Sequence, residues 1–198
     1  MHGIIFSELR NYVEATHGKG TWDVLLTEAG LANRVYMPVR EYPDAEIIAL
    51  VLTGSTMAGR SVAELLEDFG MFLVPMLMKT FGHLLQPQWR TIDVIEHTEP
   101  TVHAVVRVKN PGSKPPELRT VRRNKDEVTL FYSSPRKMCS LAIGIVKGLG
   151  KHFRETIVTT ESRCMHRGAA NCEIVFRKVR ATPNLGRARE GQLVISRQ

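Results

Sequence analysis

Apolar positions follow helical spacing through the first half of the chain. Ile5, Leu9, Tyr12 and Val13 make one apolar face, which predicts a helix over residues 3–16. Thr21 is placed to cap a second helix that ends at Gly30. A third is expected from about Asp44 to Met57. Ser61 and Glu64 have capping-box spacing ahead of a long apolar segment that ends near Thr80, with a kink at Pro75. Helical patterning resumes from about Arg90 to Lys109, where Pro100 must bend or restart it.

The period changes after Asn110-Pro111-Gly112-Ser113, a chain-breaking run stiffened further by Pro115 and Pro116. Residues 118–123 and 128–132 read as strands around a turn at Asn124-Lys125-Asp126. Pro135 is expected to open a helix reaching about Gly150, with strands after it at 155–162 and 171–179. Helices first, then an antiparallel sheet holding one helix, is an α+β plan. The expected organisation is an N-terminal helical subdomain over about residues 1–60, a second subdomain with the sheet over 61–179, and a flexible basic tail over 180–198.

Composition changes this picture little. Apolar residues make up 43% and charged residues 24%, an ordinary globular balance. The formal charge of +7 would suit a nucleic-acid ligand. However, the chain after Phe176 has six basic residues against one acid, so the tail carries +5 and the remainder only +2. No nucleic-acid motif accompanies it, and a solvated tail is the simpler reading. The N-terminus has no basic segment leading into a long apolar stretch. The uncharged apolar runs from Ile47 to Gly59 and from Phe69 to Met78 are too short to cross a bilayer. No membrane insertion and a cytoplasmic location are expected.

Of seven histidines, His103 stands out for the residues downstream of it. Twenty-nine residues on comes Tyr132-Ser133-Ser134-Pro135-Arg136, a Y-x-S-x-R pattern. The opening Gly3-Ile4-Ile5-Phe6 and the later Cys164-Met165-His166-Arg167-Gly168 complete an ordered set of four features. The chain thereby resembles the H-NOX family, haem domains related to the sensor region of soluble guanylate cyclase, over about residues 1–179.

The resemblance implies an H-NOX fold, haem b as cofactor, His103 as the iron ligand, and Tyr132, Ser134 and Arg136 on the haem propionates. A neutral imidazole suits iron, and hydroxyls with an arginine fork suit carboxylates. If residues 132–136 run extended, alternate side chains share a face and the three converge. Glu99 and Pro100 depart from the family's unbroken helical segment before the ligand, and His97 stays a competing candidate. The resemblance further implies a haem pocket of Ile5, Leu9, Leu73, Pro116, Leu141 and Ile145. Oxygen-binding relatives place a tyrosine at the position of Leu141. Without that donor, nitric oxide and carbon monoxide should bind and oxygen should bind poorly.

Cys139, Cys164 and Cys172 cannot all pair, and a reducing compartment would keep them as thiols. Family members use matching cysteines for a structural zinc, which here needs a fourth donor, either Glu161 or His166. The leading reading is a nitric oxide sensor, not an enzyme, that signals by releasing its histidine. Its output would pass to a separate histidine kinase, diguanylate cyclase or chemotaxis receptor. The alternative is a zinc–thiol redox sensor. A peroxidase-like haem enzyme is disfavoured, because it would need a polar distal group.

Overall fold

The computed structural model describes residues 1–179. The tail expected over 180–198 lies outside the described residues.

Four helices come first: α1 (Gly3–His17), α2 (Thr21–Glu28), α3 (Asp44–Ala58) and α4 (Val62–Phe81). Ser61 and Glu64 cap α4 reciprocally, as their spacing predicts. Pro75 lies inside α4, where its missing N–H leaves the Met71 carbonyl without an intrahelical donor. Thr21 does not cap α2. It is the first helical residue, and its hydroxyl donates back to the His17 carbonyl (3.1 Å), so left-handed Gly20 makes the turn instead. The apolar faces meet in one cluster containing Phe6, Leu9, Trp22, Leu25, Ile47, Leu50, Phe69 and Leu73.

The helical stretch from Arg90 to Lys109 is divided at Pro100, where a bend or restart was expected. After α5 (Thr91–His97) comes a π-helical turn (Glu99–His103), then α6 (Ala104–Lys109). Pro100 is the physical cause of the break, because it cannot donate to the Glu96 carbonyl. Thr120 Oγ1 donates to that carbonyl instead (3.3 Å).

Strands β1 (Glu117–Asn124) and β2 (Glu127–Ser133) form the expected hairpin, its turn steadied by Asp126 N–H donating to Asn124 Oδ1 (2.9 Å). Helix α7 (Cys139–Phe153) precedes β3 (Thr156–Arg163) and β4 (Cys172–Val179). The sheet is antiparallel throughout, in the order β1-β2-β4-β3. Central strands β2 and β4 pair Val128 with Phe176, Leu130 with Ile174 and Tyr132 with Cys172, all buried. Ile92 and Ile95 from α5, with Ile143 and Val146 from α7, cover that face.

Pro135 does not open α7. Ser134-Pro135-Arg136-Lys137 is a turn closed by Lys137 N–H on the Ser134 carbonyl (3.0 Å), and the helix begins at Cys139. Proline fits the second position of such a turn as well as a first helical turn, and here the turn prevails. Helices α4 and α7 then pack backbone to backbone. A Cβ on Gly70 would come within 2.7 Å of the Ile145 nitrogen, and one on Gly144 within 2.7 Å of the Glu67 Cα.

Candidate functional site

The π-helical turn ends at His103, whose N–H donates to the Thr98 carbonyl (3.0 Å). Its imidazole is mostly buried, and Nδ1 lies 2.8 Å from Glu99 Oε2. Burial by itself would raise the Glu99 carboxyl, but hydrogen bonds from His103 and Arg107 hold it below its ordinary value. An ionised carboxylate only accepts, so Nδ1 carries the proton and Nε2 keeps its lone pair. Burial lowers the His103 pKa against the opposing pull of Glu99, which favours the neutral ring a metal requires. The competing candidate is tied down elsewhere. His97 Nδ1 sits 2.8 Å from the Asp93 carbonyl, and its ring stacks on Trp89 at 4.4 Å between centroids.

The hairpin brings the Tyr132 region to His103. Tyr132 pairs across the hairpin with Leu118, whose N–H donates to the Glu99 carboxylate that holds the imidazole (3.3 Å). Tyr132 and Ser134 are buried, and burial raises the Tyr132 phenol above its ordinary value although the Ser134 hydroxyl opposes this. The expectation that 132–136 run extended is corrected, since the strand stops at Ser133. Arg136 N–H donates to Ser134 Oγ (3.3 Å), folding the segment back. The guanidinium donates to Asp44 Oδ2 (3.1 Å) and the Lys114 carbonyl (2.5 Å). Asp44 also receives the N-terminal ammonium (2.8 Å), so the start of the chain, α3 and the turn before α7 meet at one carboxylate.

The pocket residues come from four places in the chain. Ile5 and Leu9 lie on α1, Leu73 on α4, and Leu141 and Ile145 on α7; all five share one apolar cluster. Leu9 and Leu73 are buried, whereas Ile5, Leu141 and Ile145 keep partly open faces. Pro116 lies just before β1 and is half-buried. Tyr12 is the hydroxyl-bearing member of that cluster nearest Leu9 in sequence. Its ring packs on Phe69 and Phe72, and its hydroxyl is buried with no hydrogen-bond partner among the described residues. A further apolar cavity of about 220 Å³ opens behind Leu9, between α1, α3 and α4.

A second cluster lies where α7 meets the sheet. The donor atoms of Cys139, Glu161, Cys164 and Cys172 lie within 4.8 Å of one another. Burial and the adjacent sulfurs raise the Cys139 thiol, and burial also raises Cys172. Glu161 Oε1 is buried with no hydrogen-bond partner among the described residues, while its other oxygen faces Arg167 at 3.3 Å. His166 is not in this group, and its Nε2 lies 2.7 Å from the Lys137 carbonyl.

Two residues in these arrangements were not identified from sequence as partners, Glu99 and Asp44. Glu99 carried a usable signal, because it stands four residues before His103, and Arg107 four residues after, on one helical face. Asp44 had none, lying 92 residues from Arg136.

The class, a haem domain, follows from the family whose model matches this chain and from the solved structures that share its fold. The haem-NO-binding family model matches residues 2–161, and the chain belongs to that family, the H-NOX proteins, whose members are haem-binding gas-sensor domains. An H-NOX protein from S. oneidensis, solved in the Fe(II)NO state, superposes with a TM-score of 0.84 at 25% identity. That match covers 91% of this chain and 100% of the other. The SO2144 H-NOX domain from Shewanella oneidensis in the Fe(II)CO state gives 0.81 at 25%, covering 91% and 100%. An Fe(II) unliganded H-NOX protein from K. algicida shares the fold at 0.81 and 21%, covering 95% and 100%. The comparison with curated proteins gave no match. Among the described residues, no helix is long and apolar enough to cross a membrane.

Proposed function

We propose that this chain is a nitric oxide sensor that discriminates against oxygen and signals to a separate partner. The observation that carries the reading is His103, mostly buried, with Nδ1 committed to Glu99 so that Nε2 is the nitrogen left with a lone pair for a metal. The residues fit a haem. His103 would hold the iron, the partly open faces of Ile5, Leu141 and Ile145 would contact the porphyrin, and Tyr132, Ser134 and Arg136 would hold the propionates. When bound, haem supplies a ferrous iron at which a diatomic gas is held.

Leu9, Leu73, Leu141 and Ile145 offer bound gas no hydrogen bond. Oxygen, which relies on a donor for its partial negative charge, is thereby disfavoured relative to nitric oxide and carbon monoxide. Release of His103 would free the π-helical turn, and Ile5 and Pro116 would transmit the change to α1 and β1. A ligand that biases two arrangements of the chain is what a sensor requires. The output would pass to a histidine kinase, diguanylate cyclase or chemotaxis receptor in the cytoplasm, with the chain itself acting as sensor and not as enzyme.

Cys139, Cys164, Cys172 and Glu161 are proposed as a structural zinc site. The unpartnered buried oxygen of Glu161 favours it over His166 as the fourth ligand. That cluster also supports the alternative of a zinc–thiol redox sensor, in which oxidation of the thiolates would release the metal.

The test is the absorption spectrum of the purified ferrous protein under argon, in air, and with nitric oxide. The reading expects a five-coordinate ferrous haem that ignores air and forms a five-coordinate nitric oxide complex. A stable oxygen complex would overturn the discrimination. Absence of haem after reconstitution would favour the zinc–thiol alternative.

A further inference from the structure

Glu99 is held more firmly than a surface carboxylate one turn from a histidine. It accepts from His103 Nδ1 (2.8 Å), Arg107 Nη2 (2.5 Å) and the Leu118 N–H (3.3 Å), and so joins the π-helical turn to α6 and β1. Thr120 on β1 also donates to the Glu96 carbonyl near the end of α5, just before that turn (3.3 Å). A histidine whose ring proton is shared with a fixed carboxylate gains electron density at its other nitrogen and loses freedom to rotate. Arg107 acts in the opposite direction, since a cation on the same carboxylate draws charge away from the imidazole.

We propose that Glu99 is the positioning residue of the iron ligand, with Arg107 as its counterweight. The pair sets how strongly His103 holds iron, and hence how readily it is released when gas binds. This rests on the reading of His103 as the haem ligand. It deepens that reading by placing the release threshold in two side chains outside the pocket.

The experiment is resonance Raman spectroscopy of the ferrous, unliganded holoprotein, which reads the iron–histidine stretch directly. Wild type is compared with Glu99→Gln, Arg107→Gln and His103→Gly. The stretch is expected to fall in Glu99→Gln, where an amide replaces the charge, and to rise in Arg107→Gln, where the carboxylate is left to the imidazole alone. A merely structural role would move both variants the same way, or neither, and either result overturns the proposal. A band that survives His103→Gly overturns the ligand assignment, and the role of Glu99 with it. A second measurement does not depend on the native linkage. In His103→Gly protein supplied with imidazole, adding Glu99→Gln is expected to weaken imidazole binding roughly 10- to 100-fold. Unchanged imidazole affinity would overturn the proposal.

Discussion

Replacing Gly144 by alanine tests the packing that shapes the proposed pocket. Gly144 lies on α7 between Leu141 and Ile145, against the backbone of Glu67 on α4. An added Cβ would stand within 2.7 Å of both the Glu67 Cα and its carbonyl carbon, and closer still to the carbonyl oxygen. These are backbone atoms, so the helices must part. Overpacking of this kind costs about 1–3 kcal/mol, and three obstructing backbone atoms place it near 3. Alanine returns about 1 kcal/mol of helix propensity, which leaves a net loss of about 2. For a chain of this length that lowers the melting temperature by about 4–8 °C. Gly54, inside α3, is the control. Its added Cβ would meet only the Leu25 and Leu65 side chains, at 3.8 and 3.9 Å. Gly54→Ala should therefore raise the melting temperature by about 2–4 °C. The assay is thermal unfolding monitored by circular dichroism at equal haem saturation, because bound haem itself stabilises. A Gly144→Ala variant that melts at or above Gly54→Ala would refute the tight packing of α4 on α7.

Leu141→Tyr should create an oxygen complex visible in air, as a hydroxyl donor to charged bound oxygen contributes about 1.5–3 kcal/mol, or about ten- to a hundred-fold in affinity. A spectrum in air identical to wild type would place Leu141 away from the gas. Burial opposes ionisation of Asp44, but the N-terminal ammonium and Arg136 prevail and hold its carboxyl below the ordinary value. Its contribution is therefore present above the unfolded pKa of about 3.9 and is lost as pH falls through the lower folded value. Solvent access keeps that contribution to about 1 kcal/mol or less. Denaturant titrations should show Asp44→Asn less stable than wild type at pH 7, with the gap closing below about pH 4; a gap independent of pH would refute the ion pairs. Zinc-loaded protein should release its metal at lower chelator concentration in Glu161→Ala than in wild type or His166→Ala, and equal retention in all three would exclude Glu161 as a ligand.

The helices and the hairpin were legible because each carries a local signal. Ile5, Leu9 and Val13 repeat at helical spacing, and Ser61 with Glu64 marks the start of α4. Proline misled at Pro135, and at Pro100 it marked the break without its form, because its fixed φ suits several structures and neighbours choose among them. At Pro135 the choice was a turn, supported by the Ser134 hydroxyl. At Pro100 it was a π-helical turn, made possible because Thr120, twenty residues away, takes up the freed carbonyl. The apolar pocket residues could be named from the resemblance, but their gathering depends on the close approach of α4 and α7 at Gly70 and Gly144. The anchoring of Arg136 on Asp44 joins residues that nothing in the local pattern connects.

The proposed sensor depends above all on His103 holding a haem iron. The most direct measurement is the ferrous absorption spectrum of His103→Gly, recorded with and without added imidazole, beside that of wild type. The five-coordinate ferrous spectrum is expected to disappear in the variant and to return with imidazole. A variant that keeps the wild-type spectrum without imidazole would contradict that role of His103.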